Sequence, residues 1–420
     1  MKILVVVSNY PHPYHPISGA FNEKCVAVLQ ELCDGVEVLA PRPYVPPLLS
    51  ALVPRWKAYA AIEGYELRHG VPVFRPASPV VPRVGGAFWD DQGAFLRCRR
   101  LARMLHCRMQ FNGILSFDLA GAGGLAWRIG HDLGIPASGW ATGSDVRYPA
   151  ASSHGKAVKR TIEHLDIVFY QSHELLDQAA GLLGISRSQM SPDRHVVLPR
   201  GIPVPPSLSR IVPRNRIRAE LGMTKGEVLV LSSGRISQAK GVFELLEAIK
   251  LAAVRDSRVF CTLLGSLPAL DETAAVQRKL EQIPGLKERV QLLPACSSDK
   301  VWEYLCAADI FAFTSHHEGM PNSLLEAMAM GLPAVAFAIP PVVELEAGTG
   351  ALVTIPPFNS ARFAEAIVRL AASPTERVRM GEKAKALIRE RYMVKNNMAI
   401  ALERLAQVKG DGQRRAGAAT

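Results

Sequence analysis

What this 420-residue chain lacks narrows it first. No apolar run reaches the roughly 18 residues that a spanning helix needs. Met1–Val7 is apolar but short and has no small-residue cleavage site, so it reads as a buried first strand rather than a signal peptide. The expected location is the cytosol. The seven cysteines, at 25, 33, 98, 107, 261, 296 and 306, form no CxxC pair. That pattern fits reduced thiols in a reducing compartment and gives no structural zinc. Aromatic residues are only 7%, and no RNP-like strand, helix-turn-helix or zinc finger occurs, so a pI near 9.4 does not lead to nucleic acid. No fixed-period repeat or low-complexity tract is present, and charged residues, at 21%, are too few for a disordered chain.

What is present is enough apolar material, 48%, to fill two cores in a chain too long for one. Short apolar runs alternate with helical patterns. "KILVVVS", "GVEVLA", "GILSFD", "IPASGWAT", "DIVFYQS" and "HVVLPRG" fill the first half. Five prolines between Pro199 and Pro213 mark a linker. "EVLVLSSGR", "RVFCTLLGS", "RVQLLPA", "DIFAFTS" and "PAVAFA" then restart the alternation. Strand and helix in alternation mean doubly wound, largely parallel α/β sheets. The expected domains are 1–204 and 205–390, followed by a helix over 391–410 that packs back on the first domain and a flexible tail over 411–420.

The formal charge of +11 is locally concentrated. Between Arg42 and Arg108 there are 11 basic residues against 4 acidic ones, and "FLRCRRLARMLHCR" (Phe95–Arg108) contains no acid. With the proline-broken apolar stretch Tyr44–Ile62 and its Trp56 between Arg55 and Lys57, this helix suggests reversible contact with an anionic membrane. A solvated helix face is the plainer alternative.

Ligands of parallel sheets sit beyond the strands' carboxyl ends, so the residues just after strands are the candidates for a site. "VLVLSSGRISQAKG" ends a strand and carries Arg235 and Lys240 before a helix opens at Gly241. A guanidinium fork, a mobile ammonium and free helix-start amides together suit phosphate. Alone, the loop is also a solvent-facing turn with two ordinary cations. "HHEGMPNSLLEAMAMGLP" follows the strand "DIFAFTS" and sets Glu318 and Glu326 eight positions apart. Pro321 suits the first helical position, and the amides of Asn322 to Leu324 are expected to be free for a diphosphate. The two carboxylates suit hydroxyl groups, though they also suit the helix dipole. "GAGGLA" (Gly121–Ala126) is a loose dinucleotide fingerprint, and small residues also pack helices on sheets. The His316-His317 and His12/His15 pairs lack a spaced carboxylate partner and point to no metal.

These motifs, in this order, resemble the retaining GT-B-fold glycosyltransferases of the GT4 family. The matching stretches are "SNYPHPYHPISGAFNEK", "LGIPASGWATGSDV", "VVLPRGI", "GRISQAKG", "EGMPNSLLEAMAMGLP" and "GTGALV". The resemblance implies two Rossmann-like domains facing a central cleft, with C-terminal helices. It implies transfer of one sugar from a nucleotide donor, UDP- or GDP-linked, to a glycan or lipid-linked acceptor hydroxyl, without metal. In it, Arg235 and Lys240 neutralise the diphosphate, Glu318 meets the sugar and Glu326 the ribose. Backbone from Gly319 through Met320, Pro321, Asn322 and Ser323 to Leu324 cradles the phosphates. Gly19, Thr142 and Asp145 stand on the sugar and acceptor side, Gly19 close to donor as well. No Asp-x-Asp, the metal signature of the other large glycosyltransferase fold, occurs. Thr142 stands where relatives carry histidine, Arg200 where they carry asparagine, and Pro340-Pro341-Val342-Val343-Glu344 where they carry Pro-Glu. Two alternatives stay open: a nucleotide-sugar 2-epimerase of the same fold, and a non-catalytic nucleotide-sugar-binding scaffold.

Overall fold

The structure is a computed structural model that describes residues 1–14, 18–46, 57, 59–78, 91–205, 211–266 and 270–417. It divides into two units, Met1–Arg200 with Val394–Thr420, and Gly201–Met393.

The first unit holds β1 (Lys2–Val6), β2 (Gly35–Leu39), β3 (Arg42–Pro43), β4 (Tyr65–Arg68), β5 (Val71–Phe74), β6 (Ala77–Ser78), β7 (Gly113–Ser116), β8 (Ala137–Ala141), β9 (Ile167–Tyr170) and β10 (His195–Val197). Its main sheet runs β10-β9-β8-β7-β1-β2-β5-β4, parallel except for β4 against β5. β1 shows why the apolar runs become strands. Ile3 and Val5 enter one buried cluster and Leu4 and Val6 another, so both faces are covered and no polar alternation survives. The strand order reverses between β1 and β7, which opens a crevice beyond their carboxyl ends. The β4–β5 hairpin, turned at His69 and Gly70, and the short β3–β6 pair are additions to the strands expected from the sequence.

The second unit holds β11 (Val228–Ser233), β12 (Val259–Leu264), β13 (Val290–Leu293), β14 (Ile310–Phe313), β15 (Ala334–Phe337) and β16 (Leu352–Ile355). The order is β13-β12-β11-β14-β15-β16, every pairing parallel. Leu229, Leu231, Phe311 and Phe313 face one core, and Val228, Val230, Ile310 and Ala312 face the other. Here the reversal falls between β11 and β14, the two strands whose trailing loops carry the candidate motifs.

The expected boundary at 204/205 needs correction. The crossing lies at Arg200/Gly201, and the chain crosses again at Met393/Val394. Ile202, fully buried, pairs with Met393, and its amide donates to the Tyr392 carbonyl (2.8 Å), so the core of the second unit claims the chain before most of the prolines appear. The final helix, Val394–Gly417, belongs to the first unit. Its Met398, Ala401, Leu402 and Leu405 share a buried cluster with Ile3, Val5 and Phe169, and Asn397 Nδ2 donates to the Pro199 carbonyl (2.8 Å). The helix continues to Gly417, through most of the stretch expected as a tail. Once a helix is anchored by packing, each further residue adds a hydrogen bond without a new nucleation cost.

The basic helix spans Asp91–Met109, and its charge is less available than its composition suggests. Arg103 grips the Asp132 carboxylate through two donors (both 2.7 Å), and Arg99 Nε donates to the same group (2.8 Å). Arg108 pairs with Glu37. Arg97 and Arg100 are exposed and have no carboxylate partner among the described residues. Of the apolar stretch Tyr44–Ile62, residues 47–56 and 58, Trp56 included, lie outside the described residues. No described helix is long and apolar enough to cross a membrane.

Candidate active site

In the second unit the loops after β11 and β14 are stitched together through backbone. Thr314 Oγ1 donates to the carbonyls of Lys240 (3.1 Å) and Gly241 (2.9 Å), and the His316 amide donates to the Ala239 carbonyl (3.1 Å). Gly241 caps the helix Val242–Arg255 at φ +68°, and a Cβ there would lie 1.9 Å from the Thr314 carbonyl oxygen. Only glycine allows that approach. It brings Arg235, Lys240, Ser315, Glu318 and Ser323 around one pocket.

Lys240 Nζ and Glu318 Oε1 are ion-paired, and Ser315 Oγ donates to the same carboxylate oxygen (3.0 Å). The two groups that the resemblance assigns to different parts of a donor are therefore partners of each other. Arg235 is exposed at the pocket, with no partner among the described residues. Glu326 is half-buried in the following helix, one turn past its start.

Two expectations about that helix change. It runs Asn322–Ala329 with Pro321 as its cap, one place before the first helical position. The Asn322 amide is not free, because it donates to the Met320 carbonyl (3.0 Å). The amides without a partner among the described residues are those of Ser323 and Leu324, since the turn at Met320–Pro321 folds back on itself before the helix begins. Met320 and Leu324 bury their side chains in the core, so anything they offer a ligand is backbone. The side-chain atoms Ser233 Oγ and Asn322 Oδ1 are buried without a partner, which a native interior seldom tolerates except where a ligand or water binds. Ser233 and Ser315 were missed in the sequence because lone serines at strand ends carry no spacing signal.

His316 Nε2 lies 3.2 Å from Glu244 Oε1 and its ring packs 4.7 Å from Phe358, while His317 is exposed. Among the described residues no three His, Cys, Asp or Glu side chains gather as a metal would require.

Gly19, Thr142 and Asp145 lie in the first unit. Gly19 caps the helix Ala20–Leu32 at φ +75°, and a Cβ there would sit 2.5 Å from the Asn9 carbonyl oxygen. The close approach that requires glycine is thus to the chain's own backbone. Asp145, 2% exposed, accepts from the amides of Thr142 (3.0 Å), Gly143 (2.9 Å) and Leu119 (3.1 Å) and from Thr142 Oγ1 (3.2 Å). Its carboxylate holds loops together and offers little to an acceptor. Asp118 does the same for the "GAGGLA" turn, accepting from the Gly121 and Ala122 amides (3.0 and 2.9 Å) and from Ser8. Those amides are spent, so the turn cradles no dinucleotide. Burial raises the Asp118 pKa above the ordinary carboxylate range, against the hydrogen bonds that lower it. Arg200 is buried beside it, donating to Asn22 Oδ1 (2.8 Å) and lying 4.5 Å from the Phe21 ring centre, and burial lowers its pKa.

Two doubly wound units, one with a cationic pocket at its reversal point, define an α/β protein whose pocket suits an anionic ligand. Comparison then fixes the family. A profile described as "Glycosyl transferases group 1" matches residues 213–387. A Bacillus subtilis (strain 168) protein named as a teichuronic acid biosynthesis glycosyltransferase, TuaC, is 30% identical over 371 residues, 88% of this chain and 89% of its own. A Xanthomonas campestris GDP-mannose:cellobiosyl-diphosphopolyprenol alpha-mannosyltransferase is 35% identical over 126 residues, 30% of this chain and 33% of its own. The crystal structure of Anabaena Alr3699/HepE in complex with UDP superposes with a TM-score of 0.73 at 17% identity, covering 97% of this chain and 100% of that one. The chain belongs to the group 1 glycosyltransferases and has the GT-B fold. It is a glycosyltransferase, in the EC 2.4 class.

Proposed function

We propose that the protein moves one sugar, with retention of configuration, from a UDP- or GDP-linked donor to a hydroxyl of a cell-envelope or exopolysaccharide glycan or its lipid-linked intermediate. The observation that carries this is the meeting of Arg235, Lys240, Glu318 and Ser323, at the start of a helix, at the reversal point of one sheet. Negative charge grows on a departing diphosphate, and two cations with a helix start supply the stabilisation that a metal supplies elsewhere. Glu318 receives the sugar hydroxyls, and Glu326 the ribose. The acceptor hydroxyl arrives on the face the diphosphate leaves, so no covalent nucleophile is needed. With Asp145 engaged structurally, the acceptor side falls to the loops around Gly19 and Thr142. The UDP bound by the Anabaena protein supports a nucleotide donor. The names of the Bacillus and Xanthomonas relatives support a wall glycan or a diphosphopolyprenol-linked acceptor. Contact with an anionic membrane is proposed on two arginines, Arg97 and Arg100, worth about 2 kcal/mol together.

The test is a thermal-shift screen of nucleoside diphosphates and their sugars, followed by transfer assays with and without EDTA. A ligand at 100 times its Kd adds about 2.7 kcal/mol of stability. A stabilising nucleotide with EDTA-resistant formation of a new glycosidic linkage is expected. Stabilisation by no nucleotide, or release of an altered free sugar in place of a glycoside, refutes the proposal.

A further inference from the structure

The second unit has another cavity, at the opposite end of its sheet. Its lining includes Val228, which opens β11, Arg258, which precedes β12, and Asp309, which precedes β14. The six residues of β11 separate it from the donor pocket by about 20 Å. The cavity measures roughly 710 Å³, within the size range of small-molecule sites.

Among the described residues five cationic side chains line it, Arg214, Arg218, Arg258, Arg377 and Lys225, against two carboxylates, Asp309 and Glu227. Both carboxylates are already occupied. Asp309 accepts from Arg214 Nη2 (2.7 Å), Arg218 Nη1 (2.9 Å) and the Leu229 amide (2.8 Å). Glu227 accepts from the Thr224 amide (2.6 Å). Among the described residues Arg377 has only carbonyl hydrogen-bond partners, Leu370 (2.6 Å) and Ala371 (2.9 Å), at the end of the helix Ser360–Ala372. Arg258 uses Nε and Nη2 on Asp256, which leaves Nη1, and Lys225 has no partner among the described residues. Two helix carboxyl ends, at Ala307 and Ala372, offset about half a charge each. With Asp256 offsetting Arg258 as well, five cations stand against three carboxylates and two half-charges, a surplus of about one positive charge. Burial lowers the Arg377 pKa, and Arg214 and Arg258 push the same way against Asp309, so an anion here relieves a charge the protein leaves uncompensated.

We propose that this cavity is a second, non-catalytic site for a phosphate-bearing anion, bound by Arg258, Arg377 and Lys225. The surplus charge, the unused guanidinium donors and the cavity size all suit that ligand. Its chemistry is shared by a soluble phosphate and a lipid headgroup.

Isothermal titration of inorganic pyrophosphate into the full chain tests the site. An Arg235→Ala/Lys240→Ala background removes the donor pocket from the signal, and one pyrophosphate should still bind. Adding Lys225→Gln and Arg258→Gln, both exposed, should weaken that binding about tenfold or more, the usual worth of charge-assisted hydrogen bonds. Arg377→Lys, which keeps charge but loses the fork, should weaken it less, and unchanged thermal midpoints confirm folding. Sedimentation with phosphatidylglycerol vesicles, in an Arg97→Gln/Arg100→Gln background that removes the membrane contact proposed for the first unit, separates the sources. Binding lost in the Lys225/Arg258 variant indicates a headgroup, and no vesicle binding by either protein indicates a soluble anion. Pyrophosphate binding that vanishes in the donor-pocket background, or that ignores Lys225 and Arg258, overturns the site.

Discussion

Replacing Glu318 by glutamine should move binding and turnover in opposite directions. In the structure Lys240 is held by Glu318, and a donor diphosphate must share or take that ammonium. The Lys240 side chain is 37% exposed and Glu318 17%, so the pair is only partly desolvated and is worth about 0.2–1 kcal/mol. Glu318→Gln removes that competition, and one negative charge beside the diphosphate. Nucleoside diphosphate should therefore bind up to about fivefold tighter, the equivalent of 1 kcal/mol. Turnover should nevertheless fall, because the carboxylate that meets the sugar is gone. Lys240→Ala should instead lose both, with binding weaker by about 1.5–3 kcal/mol and the rate lower by a hundredfold or more. Calorimetry with UDP and GDP, alongside single-turnover transfer, separates the two effects. The reasoning fails if Glu318→Gln weakens diphosphate binding as much as Lys240→Ala does.

Other outcomes follow from particular contacts. Gly241→Ala meets the Thr314 carbonyl and a left-handed backbone, so it should cost about 1–3 kcal/mol and lower the thermal midpoint by several degrees; a midpoint equal to wild type would show that the two loops are not locked there. Arg103 and Arg99 hold the Asp132 carboxyl down at about 2. A depressed folded-state pKa gives stability present above the unfolded value near 3.9 and lost as pH falls toward 2, so thermal midpoints of wild type and Asp132→Asn should converge between about pH 4 and 2. Their difference holding constant across that window would count against the pairing. Arg97→Gln/Arg100→Gln should abolish salt-sensitive binding to anionic vesicles, whereas Arg103→Gln should change it less; equal effects would mean that the Asp132 pair does not sequester Arg103.

Much of this protein is determined by the chain locally. Apolar runs buried on both faces declare parallel strands, and glycine and proline punctuate them, so two doubly wound units and their approximate junction follow from the sequence. The motifs after β11 and β14 also declare themselves, because Arg235, Lys240 and Glu318 are charged residues placed just after strand ends, the side of a parallel sheet where ligands bind. Partnership was decided only by the tertiary structure. Lys240 meets Glu318 across 78 residues of chain, Asp145 spends its carboxylate on three loop amides, and Asp132 takes Arg99 and Arg103 out of a helix that looks freely basic. The final helix returns to the first unit through packing with strands more than 200 residues away in sequence. Spacing and periodicity report what one element presents, whereas hydrogen bonds and ion pairs form between elements whose relative placement depends on the entire packed core.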